Sequence, residues 1–235
     1  MRRPAKVLGR SSRCGGFTLI EIMSVIGLIV ILIGGFGFAL RDNAGSSLTS
    51  AQNTLGSLVG QARAQAAVYN TDVRLIIYSV RPPGGTDSVE KYLRVIQVIR
   101  NETPFATAAT WVAVGSPVYL PRGIFVVPNP TSGLLASGVT WPANPAPVSS
   151  LNPGFLVPVS AAPLGTPFFG ATAFYIEFKA DGSLIPAVNP YIKLALTTGG
   201  FAANNLPAFN NANAVRGVLI RPNGAVSYVN EANGF

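Results

Sequence analysis

The pattern of apolar and polar positions divides the chain into an apolar head and a β-patterned body. From Phe17 to Leu40 only Glu21 is charged, and Ile22–Leu40 is an uncharged run of 19 residues. At about 1.5 Å per residue, a helix of that length crosses a bilayer. Asp42, Asn43, Gly45, Ser46 and Ser47 then form a polar break, with Ser47 or Thr49 placed to cap a renewed helix. Beyond it, Leu48, Ala51, Leu55, Leu58, Val59, Ala62, Ala66 and Tyr69 recur at three- and four-residue spacing, one apolar stripe ending near Asn70. The pattern predicts one long helix from about Thr18 to Tyr69, its first half in lipid and its second half covering a sheet. Gly34-Gly35-Phe36-Gly37 sits late in the apolar run. Interior glycines weaken a helix by about 1 kcal/mol each relative to alanine. They mark either close packing and local flexibility or a point that melts when the helix is stretched.

After residue 70 the period changes. Val73–Val80 and Tyr92–Ile99 are rich in β-branched and aromatic residues and flank Arg81-Pro82-Pro83-Gly84-Gly85, which predicts a hairpin with a long loop. Trp111–Val114, Val118–Leu120 and Gly123–Val127 are short strand candidates. Residues 128–170 hold nine prolines, so strands there are expected only at sheet edges. Strand signals resume at Ala173–Lys179, then the turn Ala180-Asp181-Gly182-Ser183, then Tyr191–Thr197, Val215–Arg221, the turn Pro222-Asn223-Gly224, and Ala225–Val229. The fold class expected is α+β: a long N-terminal helix, transmembrane in its first half, packed on an antiparallel sheet. The organisation expected is residues 1–16 as a leader, 17–40 as a membrane and assembly helix, 41–70 as its amphipathic continuation, and 71–235 as the β-rich domain.

Charge sharpens this division. The formal net charge is +8, but Arg2, Arg3, Lys6, Arg10 and Arg13 all precede Gly16, and no acid does. Removing these five from 17 basic residues leaves 12 against 9 acidic, or +3. The basic signal therefore belongs to the first 16 residues and suits retention on the cytoplasmic side of a membrane better than nucleic-acid binding. The single cysteine, Cys14, lies in the same stretch, so the remainder can form no disulfide. With no histidine in the chain, histidine-based acid–base catalysis and histidine metal sites are excluded.

Three processing schemes compete for residues 1–40. A secretory signal has the right order of basic and apolar regions, with a small-x-small site near Gly37–Ala39, but the apolar run is long for that purpose. A lipoprotein signal at Cys14 lacks an apolar segment upstream. The third scheme rests on Gly15-Gly16-Phe17-Thr18-Leu19-Ile20-Glu21-Ile22. Cleavage there would precede the apolar helix and leave it in the mature chain. This octapeptide resembles the processing motif of type IV pilins and type II secretion pseudopilins. The resemblance implies cleavage after Gly16 by a prepilin peptidase, N-methylation of Phe17, and a role for Glu21 in assembly. A carboxylate in lipid is expensive unless paired. The new amine at Phe17 is the nearest cation, four residues away or on a neighbouring subunit.

Four further segments are similar to the H-type, FimT-like minor pseudopilins: Ala62–Asn70, Leu120-Pro121-Arg122-Gly123-Ile124, Phe178-Lys179-Ala180-Asp181-Gly182, and Ile220-Arg221-Pro222-Asn223-Gly224-Ala225-Val226. The chain departs from that subgroup in its Pro-rich segment 128–170. The resemblance implies a structural subunit of a pseudopilus or related filament. Its partners would be the prepilin peptidase, other pilin-like subunits and an inner-membrane assembly platform, and its β-rich domain would be periplasmic. A filament-tip module that contacts DNA, a surface or a secreted substrate is the alternative. Arg216 and Arg221 are candidates for nucleic-acid contact by that resemblance, against the simpler reading of a solvated strand face. Nucleic acid is not the partner expected. No cofactor or metal is expected: the nine acids show no HExxH, DxD or EF-hand spacing, and Asp87, Glu90 and Asp181 read as turn residues. Serines lack a histidine partner; a Ser–Lys dyad stays open, but no enzyme is expected.

Overall fold

A computed structural model describes residues 17–39, 43–80, 90–128, 149, 151–156, 172–185, 191–202, 207–209 and 214–235. It contains helices α1 (Leu19–Ala39) and α2 (Asn43–Tyr69). These are followed by strands β1 (Val73–Tyr78), β2 (Val95–Asn101), β3 (Trp111–Tyr119), β4 (Ile124–Val126), β5 (Asn152–Leu156), β6 (Thr172–Phe178), β7 (Leu184–Ile185), β8 (Ile192–Phe201), β9 (Pro207–Phe209), β10 (Val215–Ile220) and β11 (Val226–Val229). The 3-10 turn Ala232–Gly234 follows. The chain forms two compact units, residues 1–43 and 44–235.

This corrects the expected fold in two respects. The single helix over 18–69 is instead two helices, which fall almost wholly in different units, and the body is mostly antiparallel β in two sheets rather than one. The expected transmembrane first half is not met either: among the described residues no helix is long and apolar enough to cross a membrane. The described side chains of α1 end at Leu32, inside the uncharged run. Periodicity places an apolar stripe but does not report whether two stripes belong to one continuous helix. Gly34, Gly35 and Gly37 lie within α1, so the helix persists through them and its end falls later, at Ala39. The second helix begins at Asn43, before the expected caps. Thr49 lies inside it and donates its hydroxyl back to Gly45 O (2.9 Å).

α2 ends as its sequence suggested. Asn70 takes a left-handed conformation (φ 49°) and Thr71 N donates to Ala66 O (3.2 Å), a Schellman-type stop. Of the predicted stripe, Leu48, Ala51, Leu55, Leu58, Val59, Ala62 and Ala66 are buried. Tyr69 is not; it is 53 % exposed, beneath the Arg100 guanidinium at 3.8 Å. The buried stripe shares one core with Leu75 and Ile77 of β1, Val98 of β2, Phe178 of β6, Leu196 of β8 and Val218 of β10. One face of α2 thus serves both sheets.

The first sheet runs β3-β2-β1-β6-β5, with β7 on β6; the second runs β11-β10-β8-β4, with β9 on β8. Among the described residues all strand pairings are antiparallel. The predicted β1–β2 hairpin forms, while its loop at 81–89, with Asp87, lies outside the described residues. The two short candidates at 111–114 and 118–120 are one strand, β3. Its register against β2 shifts between Ile96 and Val98, where Gly115 has φ 79° and Pro117 offers no N–H. That is a bulge, the form in which a strand accommodates such residues. Gln97, buried, donates to Gly115 O (2.9 Å) and fixes it. Within the Pro-rich segment, β5 forms at the sheet edge with a register shift spanning Pro153-Gly154, as expected for proline.

The two sheets are joined by backbone bonds at Leu93-Arg94. Leu93 N donates to Tyr78 O and Val126 N donates to Leu93 O, both 2.9 Å, while Leu120 N donates to Arg94 O (2.9 Å). Leu93 has φ 56°, uncommon for a bulky residue. Arg94 holds the bend by donating to Glu90 O (3.2 Å) and Leu120 O (3.0 Å). Its burial pushes the guanidinium pKa down, countered by nearby Glu90.

Candidate functional site

α1 starts where its first turn dictates. Thr18 O accepts from Glu21 N (3.1 Å) and Ile22 N (3.2 Å), which makes Thr18 the residue that opens the helix. Glu21 falls in the first turn. There a carboxylate is favoured by the unpaired N–H groups and the helix dipole. Thr18 and Glu21 also have the spacing of a capping box. Ser24 Oγ donates to Glu21 O (2.8 Å). Phe17 and Glu21 are both exposed, as is every side chain from Phe17 to Leu32. Gly16 lies outside the described residues. A helix apolar on every face belongs among other apolar groups, in lipid or between helices. Glu21 brings the only charge to it.

A second cluster unites three of the four segments that carry the minor-pseudopilin resemblance. The turns after β6 and β10 have the same construction. In the first, Gly182 N donates to Lys179 O and Lys179 N to Ser183 O (both 2.7 Å), and Ser183 N donates to Asp181 Oδ1 (2.8 Å). In the second, Gly224 N donates to Arg221 O (2.7 Å), Arg221 N to Ala225 O (2.8 Å), and Ala225 N to Asn223 Oδ1 (3.1 Å). Gly182 and Gly224 have φ of 78° and 76°. Asp-Gly and Asn-Gly are the dipeptides that suit this geometry. The turns pack against each other and against Arg63 of α2. A Cβ on Gly224 would lie 2.4 Å from Gly182 O and 2.8 Å from Arg63 Cδ, and Leu184 N donates to Pro222 O (2.9 Å). Hydrogen bonds from the Ser183 hydroxyl and amide hold the Asp181 carboxyl below its usual pKa, with help from Lys179.

The two arginines proposed from sequence are not brought together. Arg216 lies near the start of β10 and Arg221 just past its end, five residues or roughly 16 Å apart at strand rise. Arg216 faces α2 and donates to Thr49 Oγ1 (2.5 Å). Arg221 is exposed in the turn. Glu90 makes an exposed ion pair with Arg122 (3.3 Å). Sequence reasoning did not single out Gln52, whose buried amide donates to both Gly217 O and Val229 O (2.8 Å each), tying α2 to the β10–β11 hairpin. A lone amide within an apolar helical stripe was the available signal. Among the described residues no group of three or more Cys, Asp or Glu side chains is placed to hold a metal.

No protein-family model matches the chain, and no curated protein or solved structure does so either.

Proposed function

We propose that this protein is a minor pilin-like structural subunit of a type II secretion pseudopilus or a related type IV filament. In this reading a prepilin peptidase cuts between Gly16 and Phe17, Phe17 is N-methylated, and the chain is held at the inner membrane before assembly. The β-rich unit is then periplasmic. The observation that supports it is the first helix: apolar side chains exposed on all faces, with one carboxylate, Glu21, in the first turn, directly after the Gly-Gly-Phe sequence. Glu21 pairs with the Phe17 amine of a neighbouring subunit, which neutralises two charges that are costly in an apolar setting and fixes the axial register. The prepilin peptidase, other pilin-like subunits and the membrane platform are the partners this requires.

Two measurements test it. Mass spectrometry of the mature chain is expected to find N-methyl-Phe17 at the N-terminus; an intact N-terminus, or a cut near residue 40, overturns the reading. Glu21→Val is expected to be processed normally but to enter filaments poorly. Normal incorporation removes the role given to Glu21.

A further inference from the structure

Among the described residues of the β-rich unit, one phenylalanine stands in water on an ordered loop. Phe105 is 94 % exposed, at the tip of the β2–β3 connection. Its loop is ordered by Thr103. Thr103 N donates to Asn101 Oδ1 (3.0 Å), Thr103 Oγ1 donates to Ala108 O (3.2 Å), and Thr110 N donates to Thr103 Oγ1 (2.9 Å). Ala106 N to Thr103 O (3.1 Å) and Glu102 N to Thr110 O (2.7 Å) complete it. A preorganised loop displaying an aromatic ring has the form of a binding anchor, because the ring loses little freedom when it docks.

Beside it lies a shallow cavity of about 310 Å³, lined by Tyr69, Thr71, Arg100, Asn101, Glu102 and Pro104. Arg100 lies 3.8 Å over the Tyr69 ring and is held by Gln65 Oε1 (3.4 Å) and Glu102 Oε1 (3.3 Å). Val68, the chain neighbour of Tyr69, is 75 % exposed. The wall of the cavity is thus a flat guanidinium–aromatic stack, a surface that takes another ring on its face.

We propose that Phe105 and this cavity form a self-complementary surface through which two copies of the chain associate, each Phe105 seated against the Tyr69–Arg100 stack of the other. Three observations favour a second copy. Knob and socket are adjacent on one surface, which a two-fold arrangement satisfies twice with the same contacts. The cavity is charge-balanced, Arg100 against Glu102, and residues 103–113 carry no charge, so two copies meet without repulsion. The ring and socket also match in chemistry. Two rings bury about 150–250 Å² each. That is far below the roughly 1,200 Å² of a stable complex, so the contact is weak and transient. It does not depend on the filament reading.

The test places a photoreactive benzoylphenylalanine at position 105 of the full-length chain, a larger aromatic side chain that the exposed site has room for, in detergent micelles. The expected product has twice the chain mass, with the adduct mapped to residues 68–104 of the second copy. Arg100→Glu is expected to lower its yield several-fold, while Gly60→Ala, on the open face of α2, leaves it unchanged. Absence of the double-mass product, an adduct mapped to α1 or elsewhere, or a yield indifferent to Arg100→Glu overturns the proposal.

Discussion

Replacing Gly224 by alanine probes the corner where the two twin turns meet α2. Two effects add. Alanine at φ 76° is held in the left-handed region, at about 1–2 kcal/mol. Its Cβ would also sit 2.4 Å from Gly182 O, a backbone atom that cannot swing away as the Arg63 side chain can. Forcing such overlap in a packed site costs about 1–3 kcal/mol. Alanine recovers about 0.4–1 kcal/mol by restricting the unfolded chain. The net loss is about 1–4.5 kcal/mol, centred near 3, which in a unit of this size lowers the melting temperature by roughly 2–18 °C. The twin position gives an internal comparison. At Gly182 the strain is the same, but the one tight contact of a Cβ would be Arg63 Cγ at 3.0 Å, on a movable side chain, so after the same recovery Gly182→Ala loses about 0–1.5 kcal/mol. Gly60 lies on the exposed face of α2 with nothing within 4 Å of an added Cβ; there alanine stabilises by about 0.5–1 kcal/mol. Thermal unfolding followed by circular dichroism on the full chain in detergent ranks the three variants. If Gly224→Ala melts with Gly60→Ala, or above Gly182→Ala, the close packing of the turns is wrong.

Gln52→Leu fills the same space but leaves the carbonyls of Gly217 and Val229 without their donor; a loss of about 1–3 kcal/mol in denaturant unfolding is expected. The Asp181 carboxyl, depressed chiefly by Ser183, contributes stability that is present above the ordinary carboxylate range and lost as pH falls through the depressed value. An NMR titration is expected to show this low midpoint, and Ser183→Ala to raise it. Arg216→Ala is expected to destabilise by about 1 kcal/mol through its lost bond to Thr49, with no change in DNA gel shifts across salt concentrations. A selective loss of DNA binding would return Arg216 to the surface.

Local chemistry carried much of this protein into its sequence. The α2 stripe, the Schellman stop at Asn70, the β1–β2 and β10–β11 hairpins and the glycines of the twin turns were all legible, because each rests on neighbours a few residues apart. So was the apolar head with its lone Glu21. What the sequence could not decide was what required distant partners. Whether two apolar helical patterns form one continuous helix is not written in their spacing, and the structure has two helices. Whether nine strand-like segments make one sheet or two depends on which edges meet, and β8 chose β4 and β10 while β6 chose β1. Arg216 and Arg221 looked like one basic site because they are close in sequence, yet a strand holds them apart and turns one toward Thr49. Tyr69 fitted the helical stripe and still lies outside the core, where its ring meets the Arg100 guanidinium of β2 rather than an apolar neighbour. Spacing along the chain fixes the face a residue occupies; only packing fixes what that face meets.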